Sequence, residues 1–157
     1  MISRCRTRAV MVGGVAVGGG APLSVQSMAN VSPTDRDALV GQIERCAALG
    51  CDIFRLTVPD EEAAKTFAAV RRLSPIPLVA DIHFDWRSAL AAIEAGCDAL
   101  RINPGNIGSQ DRISAVARRA KEKKIPIRVG VNLGSLERDI DAKLRAGEIT
   151  APEALYA

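Results

Sequence analysis

Two stretches of this chain obey one formula: Gly50-Cys51-Asp52-Ile53-Phe54-Arg55-Leu56 and Gly96-Cys97-Asp98-Ala99-Leu100-Arg101-Ile102. Each reads glycine, cysteine, aspartate, two apolar residues, arginine and one more apolar residue. The glycine stops a helix and the aspartate sits in the turn. The arginine then comes at the same depth of the following strand. A repeated helix-to-strand joint of this kind restricts the fold strongly. The cyclic symmetry of a (β/α) barrel produces it, and an open sheet has no need of it.

The rest of the chain keeps the same rhythm. Strands are predicted over 23–28, 52–58, 77–83, 98–103 and 126–133, and helices over 34–49, 61–73, 85–95, 109–124 and 136–146. A further helix begins near Pro152. Before them, Val10-Met11-Val12 and Val15-Ala16-Val17 flank Gly13-Gly14, the pattern of a two-residue β-hairpin. The fold class that follows is α/β: a partial (β/α)8 TIM barrel of about five βα units, preceded by an N-terminal β-hairpin. Residues 1–22 are expected to form the hairpin cap and residues 23–157 a truncated TIM-barrel substrate-binding domain. A closed eight-stranded barrel takes about 250 residues. The 157 residues here therefore read as a barrel cut open, whose strand edges need a partner or further sequence. No G-x-G-x-x-G lies between a strand and a helix, and no P-loop Lys-Ser/Thr follows Gly18-Gly19-Gly20.

Composition removes other classes. A net charge of +3 is too small to argue for nucleic acid or a membrane surface, and an aromatic content of 3% offers no base-stacking platform. No apolar run approaches the roughly 20 residues of a membrane-spanning helix. Arg4, Arg6 and Arg8 ahead of a Gly-rich apolar stretch loosely imitate a secretory signal, but the glycines break the apolar core such a signal needs. A cytoplasmic location is expected. Cys5, Cys46, Cys51 and Cys97 form no C-x-x-C pair, so they read as small buried hydrophobes in a reducing compartment, with no metal site among them.

The predicted strands carry more polarity than a doubly covered strand tolerates. Arg55, Asp81 with His83, Arg101 with Asn103, and Arg128 with Asn132 interrupt the apolar runs at alternate positions. Side chains alternate across a strand, so each set points to one face, and parallel strands covered on both sides are normally apolar throughout. The sets lie toward the C-terminal ends of their strands, where barrel enzymes place their sites. Three convergent arginines suit a diphosphate or several carboxylates, because each guanidinium can bridge two oxygens. The competing reading is that each arginine pairs with a nearby acid: Asp52, Asp98 or Asp81. Asp81 and His83 could position a substrate hydroxyl or move a proton. The loops opening at Asn103-Pro104-Gly105 and Asn132-Leu133-Gly134 lead into helices whose first N–H groups can face an anion, although turn chemistry alone also explains their composition. The charged runs Arg118-Arg119-Lys121-Glu122-Lys123-Lys124 and Glu61-Glu62 read as solvated helix surface.

Four blocks, Val25-Gln26-Ser27-Met28, Val79-Ala80-Asp81-Ile82-His83-Phe84, Leu100-Arg101-Ile102-Asn103-Pro104-Gly105-Asn106-Ile107-Gly108 and Ile127-Arg128-Val129-Gly130-Val131-Asn132-Leu133-Gly134-Ser135-Leu136, occur in this order. Together they resemble the bacterial 4-hydroxy-3-methylbut-2-enyl diphosphate synthase family, and the resemblance runs through nearly the whole chain. It implies an oxidoreductase of the non-mevalonate isoprenoid (terpenoid) pathway, which opens 2-C-methyl-D-erythritol 2,4-cyclodiphosphate reductively with electrons from flavodoxin or ferredoxin. It implies a barrel that binds the cyclic diphosphate and a separate iron–sulfur domain whose 4Fe–4S cluster is held by three cysteines and a glutamate, in a parent expected to be a homodimer. By resemblance, Arg55, His83, Arg101, Asn103, Arg128 and Asn132 hold the substrate, with Asp81 in support. None of the four cysteines matches a cluster ligand, so the iron–sulfur domain is expected to lie outside this sequence, and the chain alone is expected to be inactive. Two other readings stay open on the residues: another phosphate-binding TIM barrel of pterin-synthase type, and a non-catalytic half-barrel that associates through its open edge. The absence of lysine from these strands speaks against a Schiff-base aldolase.

Overall fold

The computed structural model describes residues 7–156; Cys5 and the basic residues Arg4 and Arg6 lie outside them. The hairpin forms as expected, β1 (Val10–Val12) pairing antiparallel with β2 (Val15–Val17). Val12 faces Val15 across the ladder, which leaves Gly13-Gly14 as the whole turn. Gly13 has φ +57, the left-handed conformation that the first position of such a turn requires.

Five parallel strands follow: β3 (Gln26–Met28), β4 (Ile53–Thr57), β5 (Leu78–Ile82), β6 (Ala99–Ile102) and β7 (Ile127–Val129). Each pairs with the next in sequence, in the order β3-β4-β5-β6-β7. Between them run α1 (Arg36–Ala48), α2 (Glu61–Leu73), α3 (Trp86–Glu94), the single turn α4 (Pro104–Ile107) and α5 (Gln110–Glu122). A 3-10 turn (Leu133–Ser135), α6 (Arg138–Arg145) and α7 (Ala151–Tyr156) complete the described chain. Asp35, Asp60 and Asp85 cap α1, α2 and α3, each accepting a bond from a backbone N–H of the first turn.

The two faces of the sheet have different fates. Phe54, Leu56, Leu78, Ala80, Ile82 and Leu100 point outward and are buried against helix residues such as Ile43, Phe67, Val70, Ile93 and Val116. That places the helices on one side, as in a (β/α) barrel. The inward residues Ile53, Val79 and Ala99 form a second, small cluster with Val12 and Val15. The hairpin is therefore a floor under the N-terminal ends of the strands. Its turn is pressed against the entry to β5: a Cβ on Gly13 would lie 2.8 Å from Pro77 Cγ.

The repeated joint has a physical reason. Gly50 and Gly96 both take left-handed backbone, with φ +89 and +80, and so stop α1 and α3. The aspartates that follow then fasten the strand entry to its neighbour. Asp52 Oδ2 accepts from Val25 N at 2.7 Å, and Asp98 Oδ2 accepts from Leu78 N at 2.8 Å. Asp98 also pairs with Arg71, Nε to Oδ2 at 2.7 Å. Cys51 and Cys97 are buried and Cys46 is partly so: Cys51 Sγ donates to Ile53 O at 3.0 Å, and burial, with Asp98 adjacent, pushes the Cys97 thiol up to about 12.

All five strands are shorter than expected, the first and the last most of all. The ladder of the first begins only at Gln26, although Val25 O already accepts from Asp52 N and Ile53 N. The last is an edge strand among the described residues, paired on one side alone. Its ladder ends near Gly130 N, which donates to Ile102 O at 2.8 Å, before Asn132 starts a turn. No helix among the described residues is long and apolar enough to cross a membrane.

Candidate active site

Period-two alternation fixes which residues face inward. Because Ile53 faces in, so do Arg55 and Thr57; Val79 is followed by Asp81 and His83, and Ala99 by Arg101 and Asn103. The register puts Thr57, Asp81, Arg101 and Arg128 on adjacent strands as successive partners. Four polar residues thus share one row above the apolar floor.

Asp81 is the centre of this row. Its carboxylate is buried, and each oxygen serves a different arginine: Oδ2 lies 3.3 Å from Arg55 Nε, and Oδ1 lies 3.3 Å from Arg101 Nη1. Arg55 Nη2 also lies 2.9 Å from Met28 Sδ on β3. Asp52 and Asp98 take no part, being engaged at the opposite ends of the strands. Two guanidiniums therefore share a single carboxylate, and one positive charge stays uncompensated. Arg128 adds a second: it is exposed and makes no ion pair among the described residues. It walls a hollow of about 480 Å³ between the inner face and the hairpin, together with Gln26 and Val12. His83 is half-buried beside the exposed Phe84, with ring centroids 6.1 Å apart.

The two asparagines are tied into their loops and to each other. Asn103 caps α4, its side-chain oxygen accepting from Gly105 N at 3.2 Å, and Asn132 Oδ1 accepts from Gly134 N at 3.0 Å. Those two N–H groups are thus engaged within their own turns, whereas α5 and α6, the helices that these loops lead into, carry no side-chain cap. Asn103 Nδ2 donates to Ser135 Oγ at 2.7 Å, and Ser135 Oγ donates to Asn132 O at 3.0 Å. Asn103 is buried, whereas Asn132 is exposed.

Sequence reasoning passed over Ser135, Thr57, Met28 and the one-turn helix α4. For α4 the signal was present, since Pro at the first position after an Asn cap favours helix. For Ser135 the signal was its place three residues after Asn132, where a hydroxyl can bond back to the turn. Ser135→Ala should cost about 1 kcal/mol, the net worth of an intramolecular hydrogen bond whose buried partner is left unpaired. Chemical denaturation against the Ser135→Thr variant, which keeps the hydroxyl, checks this.

The described residues do not fit an iron–sulfur cluster. No three His, Cys, Asp or Glu side chains among them converge to hold a metal ion. Cys51 and Cys97 are buried, and Cys51 donates to a backbone carbonyl.

Comparison with known proteins agrees with the fold. The GcpE TIM-barrel domain matches residues 7–157. The chain is 56% identical to the 4-hydroxy-3-methylbut-2-en-1-yl diphosphate synthase (flavodoxin) of Hahella chejuensis over 98% of this chain and 41% of that protein. It is 57% identical to the protein of the same name from Alcanivorax borkumensis, over 90% of this chain and 38% of that protein. The chain thus spans about two fifths of the length of these curated relatives. Since the match takes in the floor hairpin, both glycine–aspartate joints and all three arginine-bearing strands, the chain belongs to the GcpE TIM-barrel domain family.

Proposed function

We propose that residues 23–157 form one side of a pocket for a cyclic diphosphate, and that the protein carrying them is a 4-hydroxy-3-methylbut-2-en-1-yl diphosphate synthase that opens 2-C-methyl-D-erythritol 2,4-cyclodiphosphate reductively. The observation that carries this is the charge imbalance on one face: Arg55 and Arg101 on a single buried carboxylate, with Arg128 unpaired among the described residues. An anion bridging these guanidiniums would meet charge-assisted donors already oriented by Asp81. His83, two residues above Asp81, would donate to a phosphate oxygen or a substrate hydroxyl. Asn103 and Asn132 shape the rim, and Asp81 acts by holding the arginines.

The relatives' names carry flavodoxin, which supports flavodoxin as the electron donor of the whole protein. A 4Fe–4S cluster would supply the electrons for ring opening; the residues described here do not fit it, so the role of this segment is to bind and orient the anion. Cytoplasmic location and a homodimeric parent belong to the same reading.

Calorimetric titration of the full-length protein with the cyclic diphosphate tests the proposal. Arg101→Ala should weaken binding about thirtyfold, corresponding to about 2 kcal/mol for hydrogen bonds to a charged group. An affinity equal to that of the unaltered protein would remove Arg101 from the site.

A further inference from the structure

Gly130 follows β7, and nothing about its backbone calls for glycine. Its φ is not positive, and its N–H continues the ladder to Ile102 O at 2.8 Å. Alanine would satisfy both conditions. What excludes a side chain is Arg101: a Cβ on Gly130 would lie 2.6 Å from Arg101 Nη2, 2.7 Å from Nε and 2.9 Å from Cζ. Three guanidinium atoms at nearly equal range mean that the group lies flat over the glycine. On its other side the same guanidinium holds Asp81, Nη1 to Oδ1 at 3.3 Å. Arg101 thus spans three neighbouring strands, rooted on β6, paired to β5 and resting on β7.

We infer that Gly130 is a positioning residue for the anion site: the missing side chain is the seat that sets the height and tilt of the Arg101 guanidinium. The reasoning rests on the diphosphate-binding reading only for its consequence, since the seat itself is a matter of geometry. A methyl group at 130 meets the far end of a flexible side chain, which can swing away without moving the backbone. The price is orientation: Arg101 leaves its place against Asp81, and a displaced donor no longer meets the anion that its neighbours hold. A residue acting in this way must act through Arg101, which makes it separable from a residue that merely supports β7.

The test is a double-variant cycle on the full-length protein, with Gly130→Ala, Arg101→Ala and both together. Two readouts are taken: affinity for the cyclic diphosphate by titration, and the Arg101 Nε–Hε signal by nuclear magnetic resonance in the ligand-free protein. Gly130→Ala is expected to weaken binding about tenfold, to shift the Arg101 signal, to lower the unfolding midpoint no further than Arg101→Ala does, and to add nothing on top of Arg101→Ala. Undiminished binding in Gly130→Ala alongside weakened binding in Arg101→Ala would overturn the inference while leaving the diphosphate reading intact. An equal loss in both backgrounds would also overturn it, because Gly130 would then act by another route. Should Arg101→Ala bind normally, Arg101 lies outside the anion site and the inference falls with it, while the Arg101 signal still reports whether Gly130 is its seat.

Discussion

Asp81→Ala should lower the stability of the fold by about 3 kcal/mol, the lower part of the range for removing one partner of a buried ion pair. The Asp81 side chain is 2% exposed, while those of Arg55 and Arg101 keep 24% and 20% exposure. Water reaches the arginines in part, so the cost stays below that of fully enclosed charges. Removing the carboxylate leaves two like charges side by side and removes what holds both at their present height. Two measurements follow. The urea midpoint should fall, and inorganic phosphate should recover part of the loss by binding the native state between the freed guanidiniums. Asp81→Asn keeps the shape and separates charge from packing; it should show the same phosphate rescue. A midpoint unmoved by Asp81→Ala would mean that the pair contributes nothing to the native state.

Gly105→Ala is the second large effect, again about 3 kcal/mol, at the upper end for overpacking a filled site. A Cβ at 105 would overlap the Ser135 carbonyl oxygen and crowd the Ser135 Cβ at 3.4 Å. The obstacle is backbone, which cannot rotate away as a side chain does. The loops after β6 and β7 must separate, and the Asn103–Ser135 bond goes with them. Thermal unfolding should show the loss, and amide exchange should accelerate at Gly134 and Ser135 before the strands open. Unaltered exchange there would show that the two loops are not in contact in solution. The contrast with Gly130 is instructive: both glycines exist for lack of space, but one faces a chain that must stay and the other a side chain that can leave.

Some of this was readable in advance because it depends on short-range rules. Alternation along a strand needs no knowledge of neighbours, so the inward direction of Arg55, Asp81, Arg101 and Asn103 followed from spacing alone. Glycine after a helix and proline after a cap act within a few residues. What escaped depends on register. The sequence places Asp52 and Asp98 three residues before an arginine, which suggests pairing; in the fold they sit at the far ends of those strands and bind Val25 N and Leu78 N instead. That a single Asp81 would take both arginines requires knowing that Asp81 lies opposite Arg101 and Thr57. The extent of β7 escaped for a related reason. An apolar run reads as a strand whether or not both edges are paired, and here only one side supplies a ladder.

The strand order β3-β4-β5-β6-β7 has a further consequence, for how the chain assembles. Every parallel pairing joins a strand to the one made just before it. None waits for a distant segment to arrive, which keeps the loop to be closed at each step to the length of one helix and its turns. A chain emerging residue by residue can therefore lay down its sheet in the order of synthesis, each βα unit using the last as its template. The floor is the exception. Ile53, Val79 and Ala99 come from three successive strands, so the hairpin, first to be made, finds its complete seat only when β6 is in place.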